Sequence, residues 1–105
     1  MIGDLEQVIL LAILRVGREA YGIPIRDVIR DRADREVSLG AIYKTLGRLH
    51  DKGFVTSRTG APTAQRGGRR TRCYAVTAAG RRALEQTLRG LRRLSTGLDV
   101  GFDHA

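Results

Sequence analysis

The residues best equipped for chemistry in this sequence are cations in two groups. Lys44 and Arg48 stand one helical turn apart, and Arg66, Arg69, Arg70 and Arg72 surround the pair Gly67-Gly68. Such groups bind phosphate oxygens, and an arginine adds a bidentate contact to the O6/N7 edge of guanine. Residues suited to catalysis are scarce. Cys73 is the single cysteine and His50 and His104 are the two histidines, too few for a zinc site or a disulfide scaffold. Asp27 and Asp31 alternate with Arg26 and Arg30, a surface ion-pair pattern. The expectation is a non-enzyme with no cofactor and no metal.

The charge is unevenly placed. The 105 residues carry 19 Lys+Arg against 11 Asp+Glu, a net +8. Residues 1–36 carry a net −1, residues 37–77 a net +7 with Asp51 as their one acid, and residues 78–105 a net +2. A segment this one-sided reads as the footprint of an anionic polymer. Seventeen of the cations are arginine, which fits selection for bidentate contacts or the codon habits of a GC-rich genome. The length and 42% hydrophobic residues allow one domain with a modest core. The longest apolar run, Val8 to Leu14, is far short of the roughly 20 residues that cross a bilayer. The opening Met-Ile-Gly-Asp-Leu-Glu lacks a basic n-region, so a cytoplasmic location away from any membrane is expected.

The elements that must hold these cations follow from periodicity. Asp4 with Gln7 has capping-box spacing, and Leu5 to Val16 read as a helix stopped by Gly17 and apolar almost all the way round. Such a helix needs cover on every side, which points to a second subunit. Tyr21-Gly22 makes a turn, Pro24 falls in the first turn of a second helix, and Ile25, Val28 and Ile29 form its inward stripe. Ser38 caps a third helix ending near Gly53. At about 100° per residue, Leu39, Ile42, Leu46 and Leu49 share one side of it. Gly40, Ala41, Lys44, Gly47 and Arg48 share the other, a small and basic face. Each glycine costs a helix about 1 kcal/mol relative to alanine. Either that face lies close against something large, or Gly47 permits helix packing inside the protein.

After Gly53 the period changes. Residues 54–59 and 71–77 read as the strands of a long hairpin with a basic tip. Thr77 caps a last helix on which Leu84, Leu88, Leu91 and Leu98 follow 4-3-7 spacing, with Leu94 nearby and Ser95 in the seam. The order predicts an α+β, mostly α, winged helix-turn-helix over 1–77, a dimerisation helix over 78–100 and a frayed tail over 101–105. In a homodimer, Leu5 and Ile9 of the first helix would join Leu84, Leu88, Leu91 and Leu98 at the interface. Double-stranded DNA is the expected partner. Arg48 and Lys44 would face base edges or phosphates, Ser38 and Thr45 would hydrogen-bond phosphate, Ala41 would permit close approach, and the wing arginines would follow the backbone. A winged helix that docks RNA or another protein is the rival.

Several fragments together resemble the PadR family of transcriptional regulators. They are 5–14 (LEQVILLAIL), Ala20-Tyr21-Gly22, 37–49 (VSLGAIYKTLGRL), Lys52-Gly53-Phe54-Val55, Gly67-Gly68-Arg69-Arg70 and 74–80 (YAVTAAG), and the resemblance spans roughly residues 3–90. It implies a dimeric repressor, released from a pseudo-palindromic operator by a small apolar or aromatic effector held between subunits; a filled, dry dimer core is the alternative. By position, the resemblance places Tyr43 near phosphate and makes Arg69 and Arg70 the wing arginines. Tyr43 also falls on the flank of its helix, where a half-buried structural role is open. Cys73 stands where relatives commonly carry an aromatic residue, with inert packing and a redox role as its two readings.

Overall fold

The computed structural model describes residues 2–62 and 70–98, and the backbone alone at Pro62 and Arg70. The frayed tail expected over 101–105 lies outside these residues. Helix α1 spans Asp4–Val16, α2 Gly22–Ala33, α3 Leu39–Asp51 and α4 Ala78–Ser95, with strands β1 (Val55–Pro62) and β2 (Arg70–Val76) before α4. The fold is mostly helical, as expected.

The termini of the helices explain their lengths. Gly3, not Asp4, is the N-cap of α1, and its N–H donates to Glu6 Oε1 at 2.7 Å, so Glu6 takes the part predicted for Gln7. Gly17 ends α1 at φ 87°, a conformation open to glycine, with its N–H on the Ile13 carbonyl. The Ser38 and Thr77 caps are as read: Ser38 Oγ accepts from the Ala41 N–H at 3.1 Å and Thr77 Oγ1 from the Gly80 N–H at 3.0 Å. Helix α4 stops at Ser95, five residues short of the expected 100, and leaves Leu98 beyond its end.

Strands β1 and β2 pair antiparallel, with Ser57 opposite Tyr74, Arg58 opposite Cys73 and Thr59 opposite Arg72. Pairing continues past the expected end of β1 to Pro62 opposite Arg70, through an irregularity after Thr59. The Tyr74 N–H donates to the Ala20 carbonyl at 2.9 Å, which fastens β2 to the α1–α2 connection. At the base of the hairpin, Phe54 accepts from the Thr77 N–H and Gly53 accepts from Thr77 Oγ1.

Helix α1 is the centre of the molecule and packs against α2, α3, α4 and β2. Ile9, Leu10, Ile25, Ile42, Leu46 and Leu49 are completely buried. This corrects two dimer assignments. Ile9 and Leu84 are consumed by the core of their own chain and have no surface to give a second copy. Four elements of one chain cover most of the apolar circumference of α1, and only Leu11 and Leu14 are left exposed. Leu5 and Leu88 are half-buried against the core, while Leu91 and Leu98 are about half exposed and Leu94 is 77% exposed.

Candidate nucleic-acid interface

Helix α3 presents its small, basic side outward. Ser38, Gly40, Lys44, Gly47 and Arg48 are exposed and Ala41 is half-exposed. A Cβ added at Gly47 would meet nothing within 4 Å, and one at Gly40 would reach only Ser38 Oγ at 4.0 Å. Packing inside the chain therefore does not require Gly47. Among the described residues, no carboxylate forms a salt bridge with Lys44 or Arg48.

Thr45 is a correction. Its side chain is buried and Oγ1 donates to the Ala41 carbonyl at 2.8 Å, so it has no hydroxyl to offer a phosphate. Thr45 falls between the two faces of α3, and the packing of α1 and α2 against this helix decides the matter. Tyr43 is half-buried, and the hydroxyl end of its ring rests over Gly22 at the start of α2. A Cβ there would lie 2.6 Å from Tyr43 Cζ, so the structural role left open for this residue is filled. Nearby, burial pushes the Tyr74 phenol above its usual pKa against the opposing charge of Arg72, and Tyr43 adds to the rise. Tyr74 is a neutral hydroxyl at physiological pH.

Two cations counted in the basic segment are committed elsewhere. Lys52 Nζ lies 2.8 and 2.9 Å from the Glu6 carboxylate oxygens. Burial raises the pKa of Glu6, but the Gly3 N–H, Lys52 and the charge of Arg48 outweigh it and hold the carboxyl below its usual range. Arg58 donates to the Arg18 carbonyl and lies 3.9 Å from Glu19 Oε1. The positive segment is thus partly a brace between elements. Arg72 is exposed, and its Nη1 donates to Ser57 Oγ at 3.0 Å. Arg66 and Arg69 lie outside the described residues, and of Arg70 only the backbone pairing is described.

A cleft of about 320 Å³ runs between the C-terminal half of α3 and the hairpin, with Gly47, His50 and Asp51 on one wall and Ser57, Arg72 and Tyr74 on the other. His50, which the sequence did not single out, is exposed in this cleft one turn after Gly47, on the flank of α3 that faces the hairpin. Cys73, on the other face of the hairpin, is buried with Sγ 3.7 Å from Glu19 Oε2 and Thr71 Oγ1. A Cβ at Gly60 would lie 2.6 Å from this sulfur, so the thiol is packed in place. No group of side chains among the described residues is arranged to hold a metal ion, and no described helix is long and apolar enough to cross a membrane.

Three helices, a two-stranded hairpin behind a basic third helix, and a trailing fourth helix define a winged helix-turn-helix protein. The chain belongs to the transcriptional regulator PadR-like family, whose model matches residues 10–86. A PadR-like transcriptional regulator from Bacillus cereus shares 26% identity and superposes with a TM-score of 0.71 over 88% of this chain and 84% of that one. A transcriptional regulator from Clostridium thermocellum is 20% identical, with a TM-score of 0.71 over 94% and 93%. Bacillus subtilis PadR, solved in complex with operator DNA, is 25% identical, with a TM-score of 0.65 over 81% of this chain and 48% of that one. No curated protein matches the chain.

Proposed function

We propose that this chain binds double-stranded DNA with sequence preference and regulates transcription, as a repressor and a homodimer. The carrying observation is the outward face of α3, where exposed Lys44 and Arg48 share a side with Gly40 and Gly47, whose missing Cβ atoms no part of the chain fills. A helix with low relief and two cations fits the major groove, and the hairpin with its arginines extends the contact along the backbone. The operator complex of Bacillus subtilis PadR supports this reading. Ser38 and Tyr43 complete it as phosphate contacts at the two edges of α3, and Ala41 as a low point for base approach.

The second copy is supported by the leucines that one chain leaves exposed. Leu91 and Leu94 on α4 and Leu98 just beyond its end are exposed. Leu11 and Leu14 border a groove of about 580 Å³ between α1 and α2, lined also by Val8, Ala12 and Val28. An apolar effector would occupy the space where this groove meets the second copy.

Selection of bound sequences from a random duplex pool tests the proposal. A regulator returns one pseudo-palindrome with half-sites about 34–36 Å apart, and its binding weakens steeply with salt. Equal affinity for every duplex, or preference for RNA, overturns it.

A further inference from the structure

The cleft between α3 and the hairpin lies where a duplex bound by both must pass. With α3 in the major groove and the hairpin strands alongside it, the sugar-phosphate strand that borders the groove crosses between these elements. The walls suit such an occupant. Ser57 stands opposite Tyr74 and Thr59 opposite Arg72, so the side chains at these positions share the face of the hairpin that looks onto α3. Ser57 Oγ accepts from Arg72 Nη1 and fixes one edge of the guanidinium, while an arginine has five N–H donors to offer. Across the cleft, exposed His50 brings an imidazole donor and Gly47 keeps the wall low.

We infer that this cleft is a seat for the DNA backbone strand, in which Arg72 and His50 hold the same phosphate segment from opposite walls and Asp51 opposes it. The inference rests on the duplex-binding reading above and adds His50 and Asp51 to it. Asp51 lines the same cleft, and a carboxylate beside a phosphate repels it, so neutralising Asp51 tightens binding.

The test measures affinity against salt for the full chain, using the tightest duplex recovered from a random pool. The variants are Arg72→Gln, His50→Gln, the double variant and Asp51→Asn, all at exposed positions, with thermal unfolding to show that each folds. Arg72→Gln lowers affinity about ten-fold and flattens the salt slope by about one. His50→Gln lowers affinity about three- to ten-fold, and Asp51→Asn raises it about two- to three-fold. The double variant loses less than the product of the single losses, because the two side chains serve one segment. Unchanged affinity in both His50→Gln and Asp51→Asn overturns the seat while duplex binding stands, and strictly additive losses overturn the sharing. A wild-type chain that binds no duplex overturns the function itself.

Discussion

Lys52 Nζ lies 2.8 Å from Glu6 Oε2, joining the C-cap of α3 to the first turn of α1 through a carboxylate that is almost fully buried. The same carboxylate accepts from the Gly3 N–H. A cation that charge counting assigns to a DNA footprint is thereby a brace that sets how α3 sits on the central helix. Glu6→Gln removes the charge and is expected to lower stability by about 1–2 kcal/mol. Because the folded-state pKa of Glu6 is lowered, its contribution is complete above the usual glutamate value and disappears as pH falls through the lowered one. Thermal unfolding across the acid range checks this: wild type and Glu6→Gln converge at low pH. Lys52→Met leaves the salt slope of duplex binding unchanged.

Gly47→Ala separates fold from function. Nothing surrounds the missing Cβ, so alanine raises the stability of the free protein by about 0.5–1 kcal/mol through helix propensity. The same methyl stands on the face proposed to approach DNA and weakens binding. Calorimetry and a binding titration on one variant give opposite signs, and weaker folding would contradict the exposed placement.

Gly22→Ala has the reverse character. Its Cβ collides with the Tyr43 ring, at a position in the first turn of α2 where helix propensity alone would favour alanine. The expected loss is about 1–3 kcal/mol of stability together with displaced Tyr43 and weaker duplex binding. A double-mutant cycle with Tyr43→Ala measures the coupling: once the ring is removed, adding Gly22→Ala no longer lowers stability.

The two ends of α4 answer differently to charge. Leu84 is core and Leu94 is 77% exposed. Leu84→Glu unfolds the chain, whereas Leu94→Glu keeps helical circular dichroism and turns the proposed dimer into a monomer by light scattering. A wild-type chain that is already monomeric at micromolar concentration removes the dimer.

Base and backbone contacts separate in a binding series. Arg48→Ala relaxes sequence preference, with about 1–3 kcal/mol of discrimination lost at one base position. Arg69→Ala and Arg70→Ala weaken binding evenly across sequences and flatten the salt slope. Exchange of these two outcomes would reverse the roles of α3 and the wing.

Much of this protein is decided locally and is readable in the sequence alone. Ser38 and Thr77 cap their helices because a hydroxyl three residues before a free N–H needs no distant partner. Leu39, Ile42, Leu46 and Leu49 turn inward together because a helix repeats every 3.6 residues, and the small basic face opposite them follows from the same repeat. Periodicity, however, gives an angle on a helix and not what stands beside it. Ile9 and Leu84 read like Leu91 and Leu94, but only tertiary packing decides which leucines and isoleucines the own core consumes and which remain for a second copy. Thr45 turns to the Ala41 carbonyl because neighbouring helices close over it, and His50 joins Arg72 at one cleft because a hairpin later in the chain folds back against α3. The charge map changes for the same reason. Lys52 meets Glu6 across 46 residues of chain, and a carboxylate brought that close by the fold turns part of a +7 segment from binding surface into scaffold.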